Sequence, residues 1–122
     1  MTLREAIDRF DRVCPNALPY AEKRRILSEF DGRLYSTLLV HYEGAPTVFS
    51  GYPEGADPDT ELLAGFPFDD IYIRLLRAEN EAFNGDIERY NNAAALFNSA
   101  YTQYADHINR TRRRKPGARI RC

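Results

Sequence analysis

From Phe83 to Ile108, apolar side chains recur at Phe83, Ile87, Tyr90, Ala94, Phe97, Tyr101, Tyr104 and Ile108, alternately four and three residues apart. This is the heptad seam of a helix packed lengthwise on a neighbour. The aromatic members, Phe83, Tyr90, Phe97, Tyr101 and Tyr104, are wide enough to anchor the helix on a broad surface, which predicts a bundle core rather than a free two-stranded coiled coil. Asn91, Asn92 and Asn98 flank the seam, although Asn is a poor helix former.

Upstream, Thr2-Leu3-Arg4-Glu5 reads as a capping box, with Leu3, Ile7 and Phe10 forming an apolar stripe behind it. Pro15 ends that helix near Cys14. Asn16 offers the next cap and Pro19 suits a first turn. Ile26, Leu27, Phe30, Leu34, Leu38 and Tyr42 then predict a long amphipathic helix over roughly 19–43, closed by Gly44. Gly32 inside it suggests a close helix crossing.

Residues 44–68 are punctuated by Gly and Pro at short intervals, and their Phe49, Tyr52, Phe66 and Phe68 argue for a structured loop. Thr47-Val48-Phe49 suggests a short extended piece, and Asp57-Pro58-Asp59-Thr60-Glu61-Leu62-Leu63 a brief helix ended by Gly65. The following helix takes Asp69 as its cap, with Phe68 stapled against Ile73. At Asn84-Gly85-Asp86 the chain either folds back as a hairpin or kinks. The seam stays in phase across Gly85, but one straight helix would span about 60 Å, so a kinked or broken long helix is expected. The fold class is all-α: a small helical bundle with a kinked or broken long C-terminal helix and the 44–68 loop.

At 122 residues the chain holds one domain, read as a helical body over 1–109 and a basic, flexible tail over 110–122. Its 43% hydrophobic and 29% charged content excludes wholesale disorder. No apolar run is long enough to cross a bilayer, and the early acid Glu5 does not fit a secretion signal, so a cytoplasmic origin is expected. The net charge of −1 hides two opposite blocks. Seven acids and no base lie between Glu43 and Asp70, whereas Arg110, Arg112, Arg113, Arg114, Lys115, Arg119 and Arg121 close the chain without an acid. Such blocks suit head-to-tail contacts between copies, or a basic tail gripping a polyanion.

No pattern for chemistry stands out. Cys14 and Cys122 lack a metal or redox spacing, and His41 and His107 lack ligand partners. Asp57, Asp59 and Glu61 alternate as in a calcium loop, but Leu62 stands where that loop needs glycine. Ser28, Ser36, Ser50 and Ser99 have no recognisable base, and no phosphate loop is present. No catalytic, metal or cofactor residue is therefore assigned, and no enzyme activity or membrane partner is expected.

The stretch Asp70-Ile71-Tyr72, Asn84-Gly85-Asp86-Ile87-Glu88-Arg89-Tyr90-Asn91-Asn92, Phe97-Asn98-Ser99-Ala100-Tyr101 and Asn109-Arg110-Thr111 resembles a family of small prophage proteins of Gram-positive hosts. Leu3 to Phe10 and Asn16 to Tyr20 extend the resemblance over most of the chain. The family is similar in size and helical make-up to the head-to-tail connector, or head-completion, proteins of tailed bacteriophages. That resemblance implies a non-catalytic virion protein, assembled in the host cytoplasm. It would act as a ring of copies between portal and tail-side proteins, with nonspecific DNA contact available to it. The alternative is a small nucleic-acid-binding or regulatory protein using the Arg-rich tail.

Overall fold

The computed structural model describes residues 1–115. Its elements are α1 (Leu3–Val13), α2 (Tyr20–Thr37), a 3-10 turn (Leu39–His41), α3 (Ile71–Asn84) and α4 (Ile87–Thr111). Among the described residues there are no strands, only isolated bridges between Thr2 and Glu61 and between Tyr42 and Arg114. The protein is an all-helical bundle, as the apolar periodicity predicts.

α1 opens on the expected capping box: Glu5 N–H donates to Thr2 Oγ1 at 3.1 Å, and Thr2 N–H to the Glu5 carboxylate at 2.9 Å. Leu3, Ile7 and Phe10 are buried, and Cys14 closes the helix. Asn16 does not cap α2. Its side chain instead bridges Asp11, the Cys14 carbonyl and the Leu18 N–H, and Pro19 takes the cap position.

α2 stops at Thr37, six residues short of the expected 43, because Ser36 and Thr37 hydroxyls both bond back to the Arg33 carbonyl and compete with the helix ladder. Leu38, Leu39 and Tyr42 still reach the core through the 3-10 turn. Gly32 meets no neighbour: a Cβ there would have nothing within 4 Å, so it marks no helix crossing.

Residues 42–70 form a strap across the bundle. The expected helix at 57–63 is absent: Asp57 to Thr60 close a turn, with Thr60 N–H donating to the Asp57 carbonyl at 3.0 Å, and Glu61 bridges to Thr2 beside the start of α1. The Thr60 and Pro58 carbonyls accept from Leu3 N–H (2.9 Å) and Arg4 N–H (2.8 Å), two first-turn donors that have no partner inside α1. Thr47-Val48-Phe49 pairs with no strand.

α3 begins after Asp70, not Asp69. The Asp70 carboxylate makes no cap bond and pairs with Arg74 at 3.2 Å, while Phe68 packs against Tyr104 and His107. α3 ends at Gly85, whose φ of +75° is left-handed, and Asp86 recaps α4 by accepting from Arg89 N–H at 3.0 Å. The long helix is thus broken, and α3 and α4 fold back as an antiparallel hairpin.

Candidate functional site

On α2, Arg24, Ser28, Asp31 and Tyr35 are spaced four, three and four residues apart, which puts them on one face. Each holds the strap. The Arg24 guanidinium donates to the Tyr52 carbonyl, and Ser28 Oγ accepts from Tyr52 N–H at 2.8 Å. The Tyr35 hydroxyl faces the Pro46 and Thr47 carbonyls at 2.9 Å. Asp31 has no exposed surface. Its Oδ2 accepts from the Tyr52 hydroxyl and from Leu63 N–H (3.1 Å), and its Oδ1 accepts from the Tyr72 hydroxyl (2.7 Å). Ala64 N–H donates in turn to the Tyr72 oxygen at 2.7 Å.

Burial pushes the Asp31 carboxyl up from its ordinary value, against the pull of these three donors. Burial, then the nearby Asp31 charge, raises the Tyr52 and Tyr72 hydroxyls, so both stay protonated as donors. The network is sealed from solvent and gives no substrate access; what it does is fix the strap to α2 and α3.

The sequence-predicted basic segment is partly folded into the domain. Arg110 and Thr111 finish α4, and Arg112 caps it through a bond from its N–H to the Ile108 carbonyl. The Arg113 carbonyl accepts from Glu43 N–H at 2.8 Å, Lys115 N–H donates to the His41 carbonyl at 3.1 Å, and the Arg114 guanidinium sits 5.0 Å from the centre of the Tyr42 ring. Tyr42 in turn donates its hydroxyl to Asn109 Oδ1. The basic block therefore lies against the start of the acidic block of its own chain, and residue 109 marks no structural break. Arg119, Arg121 and Cys122 lie outside the described residues.

The seam divides in two. Tyr104 and Ile108 are buried, and Ala94, Phe97 and Tyr101 are half-buried. Phe83, Ile87 and Tyr90, expected in the core, are 67%, 75% and 41% exposed. Gly85 is the reason: once the chain folds back there, α3 covers the face of α4 carrying Ala93 and Ala100, and among the described residues no element covers the seam's first turns. The open turns form an apolar tip at the closed end of the hairpin.

Further along the same face, Phe30 from α2 stacks edge-on to Phe97 (5.6 Å) and Tyr101 (6.2 Å). These rings floor a groove of about 490 Å³ whose walls carry Arg25 and Arg33 of α2, Glu79 of α3 and Asn98 of α4. Arg25 is bound to Glu22 and Glu29, whereas Arg33 and Glu79 form no ion pair among the described residues. Neither the groove nor the strap anchors stand out in the apolar pattern. The polar stripe at 24, 28, 31 and 35, beside the apolar stripe of the same helix, was the available signal.

Among the described residues no group of three or more His, Cys, Asp or Glu is placed to hold a metal ion. Asp57 caps Asp59 N–H and Asp59 lies 3.6 Å from Arg4, which accounts for two of the three alternating acids. Cys14 is a buried free thiol in contact with Asn80. The His107 ring packs on Phe68, ring centres 4.6 Å apart and planes tilted by 37°. No described helix is long and apolar enough to cross a membrane.

Tyr104 is buried with a hydroxyl that has no hydrogen-bond partner among the described residues, and burial raises that hydroxyl to about 12. Tyr104→Phe is accordingly expected to cost less than about 0.5 kcal/mol or to stabilise, because it removes an unpaired buried polar group and keeps the ring against Phe68. Urea denaturation of the two proteins checks this.

Fold and surface together define a small four-helix domain whose long connection is a pinned strap and whose hairpin leaves an apolar tip uncovered. Comparison with protein-family models, curated proteins and solved structures finds no match.

Proposed function

We propose that this protein is a non-catalytic virion assembly protein of a tailed bacteriophage, a head-to-tail connector that joins portal and tail-side proteins through contacts between copies. The observation that carries the reading is the apolar hairpin tip, where Phe83, Ile87 and Tyr90 are exposed on either side of the Gly85 turn. Exposed aromatic clusters of this kind are the usual anchors of protein interfaces. The sequence resemblance described above supplies the biological setting: a protein made in the host cytoplasm and built into the virion. Pinning the strap supports the same role, since an oligomeric ring needs rigid subunits.

Absolute mass by light scattering, over a range of protein and salt concentrations, tests the proposal. A discrete species well above a dimer, ring-shaped by electron microscopy, is the expected result. A monomer that binds any DNA duplex in a salt-dependent manner, and loses that binding on deletion of residues 110–122, would overturn it in favour of a nucleic-acid-binding protein.

A further inference from the structure

The α3–α4 turn carries a chemistry of its own. Asn84 is the last residue of α3, and Gly85 after it is the left-handed cap, with a φ of +75°. No other asparagine in the chain is followed by glycine. That neighbour matters because the backbone nitrogen after an asparagine can attack the side-chain amide. A glycine, having no Cβ, leaves its nitrogen unshielded and its backbone free to bring the two groups together.

The turn leaves the pair open to this reaction. Asn84 and Gly85 are both exposed, and a Cβ placed on Gly85 would meet nothing within 4 Å. The Gly85 N–H donates to the Ala82 carbonyl at 3.2 Å, at a helix end, where opening costs least. The Asn84 amide takes no part in the turn's bonds, since Asp86 supplies the oxygen that caps α4. The other asparagines differ. Asn16 and Asn109 have side chains tied by hydrogen bonds, and Asn80 is buried. Asn91, Asn92 and Asn98 lie inside α4, each before a residue that carries a Cβ.

We infer that Asn84-Gly85 is a site of spontaneous deamidation, and that the reaction remodels the hairpin tip. The Gly85 nitrogen bonds to Cγ of Asn84 and closes a five-membered succinimide. The Cγ–Nδ2 bond breaks, and Nδ2 leaves as ammonia with the proton that the Gly85 nitrogen gives up. Water then opens the ring. Breaking the bond from nitrogen to Cγ yields aspartate, whereas breaking the bond to the backbone carbonyl carbon yields isoaspartate, whose main chain runs through the former side chain. Water goes in and ammonia comes out, with no oxidant required. Either product puts a new carboxylate in the last turn of α3, at the negative end of the helix dipole and two residues from Asp86. Isoaspartate also adds a methylene to the backbone directly before the cap, which shifts Phe83 relative to Ile87 on the exposed tip. The inference goes beyond the oligomeric reading and does not depend on it.

The test incubates the dilute full chain at mildly alkaline pH beside the same chain unfolded in guanidinium, and maps both by mass spectrometry over time. In the native protein Asn84 is expected to gain one mass unit at a rate within about tenfold of the unfolded chain, ahead of every other asparagine. Part of the product should resist an aspartate-specific protease, as isoaspartate does. Asn84→Gln, a substitution at an exposed position that would enlarge the ring to six members, is expected to keep the circular dichroism of the wild type and to slow the change at this position at least tenfold. An Asn84 that stays intact in the native protein while the unfolded chain converts there would overturn the inference, because the turn would then hold the two groups apart. So would another asparagine converting first, or a mass gain in the same peptide that persists in Asn84→Gln.

Discussion

Asp31→Ala is expected to destabilise the protein by about 3 kcal/mol, lowering its melting temperature by about 10 °C. Among the described residues the carboxylate is the only acceptor given to the Tyr52 hydroxyl and the Leu63 N–H, and it also accepts from the Tyr72 hydroxyl; both hydroxyl bonds are buried and the Leu63 bond partly so. Removing it leaves these three donors unpaired, each costing about 1–3 kcal/mol where it is buried. Relief of the charge's own desolvation offsets part of that sum. Asp31→Asn, which keeps an acceptor oxygen, is expected to cost about half as much. Guanidinium denaturation measures both. Equal, small losses in the two variants would show that the strap is held by its apolar residues alone.

The same residue sets a pH signature. Burial raises the Asp31 carboxyl in the folded protein, so the fold takes up this proton at a higher pH than the unfolded chain does. Asp31 therefore favours folding most at low pH, and that contribution is lost as pH rises from the unfolded value, about 4, through the raised folded one. Glu5, held below its usual value by its bonds to Thr2, acts in the opposite sense. So does Asp11, where bonds from Lys23 and Asn16 outweigh burial. Both are common to wild type and Asp31→Asn. The stability difference between these two proteins is thus expected to shrink as pH rises from 4 to 8, and a difference that grows would refute the assignment.

Gly51→Ala is the second large effect, at about 2–3 kcal/mol. Gly51 has a φ of +88°, where a Cβ is strained, and an added Cβ would fall well inside contact of Ser28 Oγ. Ser28 could rotate away only by giving up its bond to Tyr52 N–H. Strain and lost bond act on the same segment, so the strap should loosen locally before the bundle unfolds. Hydrogen exchange at Tyr52 and Leu63 in Gly51→Ala is expected to speed up markedly, with the α1 amides less affected. Uniform acceleration across the chain would indicate global destabilisation instead.

Much of the helical frame was legible along the chain. The capping box at Thr2 and Glu5, the Pro15 stop and the apolar stripes of α1 and α2 act within one or two turns of their own helix, so local chemistry is enough to place them. The 44–68 segment was recognisable as an ordered, Gly- and Pro-punctuated connection. Its partners were not, because Asp31 and Tyr52, or Thr60 and Leu3, meet across long stretches of chain. An acidic run behind a proline satisfies the rules for a helix start at 57–63. The free N–H groups of α1 took the Pro58 and Thr60 carbonyls instead, and the segment went no further than a single turn.

By itself the sequence determined that this protein is all-helical, where its first helix begins and ends, and that the chain could break at Gly85. Only the tertiary structure decided which half of the Phe83–Ile108 seam is covered. Periodicity states that a helix face is apolar, but what lies on that face depends on where the other helices run. Gly85 turns α3 onto a neighbouring face of α4, and α2 covers only Phe97 and Tyr101, leaving Phe83, Ile87 and Tyr90 open to solvent.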